Sequence, residues 1–99
     1  MNALQKMEVL REVYADEAEL GLIVEKLLDI TLSRRRRCVR RYERELREFE
    51  KRYNMKSATF YQRFEAGELG DAMDFFEWAG LYELRRALME KIRRLEVVT

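Results

Sequence analysis

The stretch "EAELGLIVEKLLDITLSRRRRCVRRYERELREFEKRY", residues 17–53, decides the fold. It holds no proline, and no strong turn signal interrupts it before Asn54. A continuous helix is therefore predicted over these residues, roughly 55 Å long at ~1.5 Å per residue. Asp16, with Glu19 three positions on, resembles a capping box in which Asp replaces Ser or Thr, and sets the start. Apolar side chains recur at intervals of three and four: Leu20, Val24, Leu27 and Leu28, then Val39, Tyr42, Leu46, Phe49 and Tyr53. Such spacing describes a coiled-coil seam or a helical hairpin. So long an apolar edge exceeds what the rest of a 99-residue chain can cover. A dimer is expected, with its seam around Val39, Leu46 and Phe49.

Outward from that helix the signals are shorter. In residues 3–13, Leu4, Met7, Leu10 and Val13 have roughly helical spacing, while Met7, Val9 and Val13 also alternate. The segment reads as helix, with a short strand as the alternative. Asn54 suits a left-handed cap, and Ser57 suits the cap of a short helix over 58–66 that presents Phe60, Tyr61 and Phe64. Gly67 suits a C-cap and Asp71 the next N-cap. A last helix over 72–96 carries the apolar face Phe75, Phe76, Trp78, Leu81, Leu84, Leu88, Ile92 and Leu95. Gly80 inside it either admits another backbone or marks a bend. The predicted fold is all-α and a single domain, 1–99: a long helix folded back on a C-terminal helix, with a short corner helix. Trp78, Phe60, Phe64 and Phe76 are expected to cluster at that corner.

Composition narrows the function classes. Charged residues make up 39% of the chain, with no proline, four glycines and no histidine. Net charge is +1, but it is unevenly spread. Residues 1–29 carry three basic and seven acidic groups, residues 30–64 twelve and four, and residues 65–99 five and eight. A basic middle between acidic ends can neutralise itself. One cysteine, Cys38, permits no internal disulfide and suits a reducing cytoplasm. No apolar run approaches a membrane span, and no signal peptide is expected. Missing histidine removes the commonest general acid/base and the usual activator of a cysteine nucleophile, and no glycine-rich phosphate loop occurs. No enzyme activity, cofactor or metal is expected.

The arginine run reads first as a break in the seam and a salt-laced solvated helix face, with a protein-partner surface and then a nucleic-acid grip as the alternatives. At 100° per residue, Arg34 to Arg37 point in four directions and cannot share one strip. Arg35 falls in the apolar stripe with Cys38, Tyr42 and Leu46, while Arg34, Arg37, Arg41 and Arg44 take the opposite or flanking side. These four are the candidate partner-binding residues. Arg35 is given a structural role, paired with a carboxylate of the acidic stretch 65–83, where Asp71, Asp74 and Glu77 recur every third position. Glu43 and Arg47, and Glu48 and Arg52, stand in the favourable i,i+4 order. Clustered carboxylates attract hard cations, but neither EF-hand spacing nor a histidine ligand is present, so helix capping and ion pairing are the expected roles of Asp71 and Asp74.

The stretch "RYNMKSATFYQRFEAGELGDAMDFFEWAGLYE", residues 52–83, resembles small archaeal and bacterial proteins regarded as antitoxins of type II toxin–antitoxin pairs. The carrying features are the basic-Tyr-Asn-Met turn, the short helix with its Phe, "GELGD" and "FFEWAGLYE". Upstream, "VYADEAELG", residues 13–21, is also similar, although the relatives often carry proline where Ala15 stands. The resemblance implies a non-enzymatic helical protein that masks a toxin and takes part in control of its operon. No ribbon-helix-helix or helix-turn-helix signature accompanies it. The expected function is thus a protein-binding module, antitoxin-like, acting as a homodimer in the cytoplasm. The alternatives are a basic-helix nucleic-acid binder and a coiled-coil adaptor with no dedicated ligand.

Overall fold

The computed structural model describes residues 1–13 and 17–98. It is a helical rod of 59 × 24 × 18 Å. Its helices are α1 (Ala3–Val13), α2 (Glu17–Tyr53), α3 (Ser57–Glu65) and α4 (Met73–Val97), with no strand among the described residues. The strand alternative for residues 3–13 gives way to helix. One local reason is a reciprocal pair at its start: Gln5 N–H donates to Asn2 Oδ1, and Asn2 N–H donates to Gln5 Oε1, both at 2.9 Å. That pattern is a capping box, which satisfies helical donors that a strand would not present. The capping role expected of Asp16 lies outside the described residues.

α2 ends as its sequence suggests. Asn54 takes φ 48°, and Met55 N–H reaches back to the Glu50 carbonyl at 3.2 Å. α3 closes in the same manner around Gly67 at φ 74°: Glu68 N–H donates to the Arg63 carbonyl and Gly67 N–H to the Phe64 carbonyl, each at 3.0 Å. This paired closure satisfies carbonyls that a helix end leaves open. The N-termini differ from expectation. Lys56 precedes α3 and Ala72 precedes α4, and neither helix has a side-chain cap. Ser57 lies inside α3 and Asp71 is exposed upstream of α4, so neither serves as a cap.

Ser57 is spent on the core instead. Trp78 and Phe60 are fully buried and lie face to face, ring centroids 3.8 Å apart and 6° from parallel. Phe49 also stacks on the indole, ring centroids 5.6 Å apart and 11° from parallel. A buried indole N–H must find an acceptor. Trp78 Nε1 donates to Ser57 Oγ at 2.9 Å, Ser57 Oγ donates to Glu50 Oε2 at 2.8 Å, and Ser57 N–H donates to the same oxygen at 2.9 Å. One short chain of bonds thus ties α4, α3 and α2 together. Leu46 and Ala79 complete this cluster, with Tyr53, Phe64 and Phe75 packed around it. Phe76 belongs at its margin: it meets Phe64 edge-on at 5.5 Å but is 55% exposed. Leu84 also turns outward, because α4 meets α2 on a narrower strip than its full apolar face.

A second cluster, Leu32, Val39, Leu88 and Ile92, closes the far end of the hairpin. Val39, Leu46 and Phe49 are therefore buried by α4 and α3 of the same chain. The expected dimer seam at those residues is displaced by the hairpin. At Gly80 an added Cβ would meet nothing within 4 Å, so no backbone approaches there.

Three substitutions test this corner by urea unfolding. Trp78→Ala is expected to cost ~3–5 kcal/mol through the lost stacking and the cavity left behind. Ser57→Ala should cost ~1–3 kcal/mol, since it strands a buried indole N–H. Gly80→Ala should stabilise the chain by ~0.5–1 kcal/mol, because a mid-helix glycine is replaced where space is open.

Candidate protein-binding site

Antiparallel packing of α4 on α2 determines which arginines are free. Ion pairs mark the register: Arg52 Nη1 to Asp74 Oδ2 at 2.8 Å, Arg85 Nη2 to Glu43 Oε2 at 3.7 Å, and Arg36 Nη2 to Glu96 Oε1 at 3.8 Å. Asp74 therefore sits beside the end of α2. Arg35, some seventeen positions earlier, is roughly 25 Å away along the axis. It is exposed, and no carboxylate pairs with it among the described residues. The expected pairing of Arg35 with Asp71, Asp74 or Glu77 is replaced by that of Arg52 with Asp74. By projection Arg35 falls between Val39 and Tyr42, yet its side chain is exposed, so its angle around the axis does not by itself bury it.

Asp74 also accepts from the Tyr53 hydroxyl at 2.6 Å. Hydrogen bonding from Tyr53, then from Arg52, holds the Asp74 carboxyl below the usual aspartate range. The bond to Asp74 in turn raises the Tyr53 phenol. The i,i+4 pairs expected on α2 do not form, because Glu43 and Arg52 both reach α4. The rest of the acidic stretch is dispersed: Glu68 pairs with Arg63, Glu83 accepts from Tyr61, and Asp71 and Glu77 are exposed. Among the described residues no three potential metal ligands gather.

The partner-binding candidates do come together. Arg34, Arg37, Arg41 and Arg44 line one shallow groove of about 450 Å³ on α2, joined by Arg40 and Cys38. Helix geometry accounts for this. Positions i, i+3, i+7 and i+10 share a face, here a row ~15 Å long, lying roughly 140–160° around the axis from Val39. The row thus points away from α4. All five arginines are exposed, and none pairs with a carboxylate among the described residues. Arg41 instead approaches Cys38 Sγ at 3.6 Å and lies over the Tyr42 ring, 5.5 Å from its centroid. A hydrogen bond with Cys38 pushes the Tyr42 phenol above its ordinary value. A row of unneutralised guanidinium groups can hold carboxylates or phosphates through forked hydrogen bonds. Binding is the chemistry on offer.

The sequence reading did not single out a second surface. α4 is 25 residues long against 37 for α2, so it cannot cover the first third of its neighbour. Buried positions on α2 begin only at Leu32, and α1 has none. Between α1 and the start of α2 lies an open cleft of about 820 Å³, walled by Leu4, Met7 and Leu10 on one side and Leu20, Val24 and Leu27 on the other. The signal was legible in the apolar spacing of both segments. What it lacked was the point at which α4 stops.

No family model, curated protein or solved structure matches this chain. No helix among the described residues is long and apolar enough to cross a membrane.

Two variants separate the roles of the arginines. Arg35→Ala is expected to leave stability within about 0.5 kcal/mol of wild type, as is usual for exposed side chains without partners. Arg52→Ala should lower the melting temperature measurably. A depressed aspartate stabilises the fold above its unfolded pKa and loses that contribution as pH falls through the lowered value. Acid melting curves should therefore show a loss below the usual aspartate range that is smaller in Asp74→Asn.

Proposed function

We propose that this chain is a non-enzymatic protein-binding module whose arginine row on α2 receives an acidic face of another protein. Within that class, we read it as the antitoxin-like partner of a small toxin, acting in a reducing cytoplasm. The observation that carries the binding reading is the row itself. Arg34, Arg37, Arg40, Arg41 and Arg44 share one groove and make no ion pair among the described residues, while Arg52 and Arg36 of the same helix pair with α4. Five like charges side by side repel one another, so such a row favours an external anion. The toxin-masking half of the reading rests on the resemblance in residues 52–83, which covers the aromatic corner that holds α2 straight against α4. Masking needs a rigid surface and no chemistry, and a chain with no histidine fits that need.

A second reading has its own support. Guanidinium groups bind phosphate as well as carboxylate, and a ~15 Å row could follow a nucleic-acid backbone. No stacking platform accompanies it: the nearest ring, Tyr42, is half-buried and lies under Arg41. The protein partner is therefore preferred. A coiled-coil adaptor with no dedicated ligand would leave the row unexplained.

The test is co-purification from the native host with wild type and with Arg37→Glu/Arg41→Glu, the bound species being identified by mass spectrometry. A single small protein is expected with wild type. Its affinity should fall at least about tenfold in the variant, or ~1.4 kcal/mol, with an unchanged far-UV spectrum. Equal recovery by both would remove the arginine row from the site. Recovery of nucleic acid, with affinity falling steeply as salt rises, would favour the second reading.

A further inference from the structure

The cleft between α1 and α2 is walled by apolar side chains that no described residue covers. Leu4, Met7, Val24 and Leu27 are 72%, 64%, 47% and 57% exposed, and every described residue of α1 is exposed. α1 is 11 residues long. Isolated helices shorter than ~12–15 residues are marginal in water, so this one needs cover in every molecule, whether or not another protein is present. Leu10, 40% exposed, and the half-buried Leu20 complete the same wall. A contiguous exposed apolar surface of this kind, rimmed by charged side chains, marks an association surface.

We infer that a second copy of this chain fills the cleft, its α2 lying antiparallel to the first. Along α2, Glu17, Leu20, Val24, Leu27, Thr31 and Arg34 alternate in steps of three and four, the repeat of a helix–helix seam. Two such seams run antiparallel with Val24 level with Leu27 place Leu20 opposite Thr31 and Glu17 opposite Arg34. Every layer is complementary, and the two-fold axis makes each contact twice. Thr31 fits an apolar layer because its hydroxyl already donates to the Leu27 carbonyl at 2.8 Å, leaving its methyl for the partner. Among the described residues neither Glu17 nor Arg34 has an ion-pair partner. A parallel arrangement in register would set Glu17 on Glu17 and Arg34 on Arg34, and like charges oppose it. The α1 helix of each copy then closes over the α2 of the other, giving a four-helix bundle beyond the hairpin cores. Only the first arginine of the row is used, so Arg37 to Arg44 stay open to a different partner.

Sedimentation equilibrium of the full chain, with two sets of variants, tests this. Wild type is expected to be a dimer at micromolar concentration. Leu27→Asp should raise the dissociation constant at least about 100-fold while leaving the Trp78 fluorescence spectrum unchanged, since the hairpin core lies elsewhere. Glu17→Arg should weaken the dimer about tenfold, and adding Arg34→Glu should restore the loss, because the swapped charges meet again only in the antiparallel register. A monomeric wild type overturns the inference and leaves the cleft to α1 itself or to another protein. A dimer that survives Leu27→Asp at wild-type strength overturns the surface. Failure of Arg34→Glu to rescue Glu17→Arg overturns the register.

Discussion

The hairpin depends on the burial of one indole. Trp78 is inaccessible to solvent against Phe60 and Phe49, and its N–H is satisfied by Ser57, which is itself held by Glu50. An unsatisfied polar group at that depth would cost much of what the stacking contributes. Ser57 Oγ accepts the indole N–H and donates to Glu50, whose Oε2 also accepts the Ser57 N–H at the first turn of α3, while Lys56 at the cap position makes no side-chain bond. Local helix capping is worth ~1 kcal/mol, less than the penalty for an orphaned buried donor, so the tertiary demand prevails.

From that corner the rest of the geometry follows by register. Anchoring the start of α4 beside the end of α2 brings Asp74 to Arg52 and Tyr53, Glu43 to Arg85 and Arg36 to the end of α4. These contacts draw side chains from α2 toward α4. What remains on the opposite flank is a row of arginines that make no ion pair among the described residues. The same register leaves the first third of α2 bare, because α4 ends before reaching it. A basic flank and an apolar arm are thus two results of one packing arrangement, placed on different parts of the same helix.

The two surfaces suit different kinds of contact. Apolar side chains in an arm with no buried residue of its own call for cover that is always available, as a second copy is. Exposed arginines are well solvated and tolerate being unoccupied, which suits a partner that comes and goes.

The sequence by itself determined the helices and how they end. Absence of breakers between Glu17 and Asn54, the left-handed turn at Asn54 and the glycine at position 67 are local facts, and local sterics enforce them. It also determined that Arg34, Arg37, Arg41 and Arg44 share a face, since helix periodicity alone does that. Asn2 and Gln5 are a local start signal for α1, since the reciprocal bonds of a capping box need only their spacing. Only the tertiary structure decided which helix covers Val39, Leu46 and Phe49, that Arg52 rather than Arg35 meets Asp74, and that Ser57 serves the indole. Each of these depends on how far α4 slides along α2. Periodicity gives an angle around the axis but no distance along a neighbour, and that distance is set by how the aromatic rings at the corner fit together.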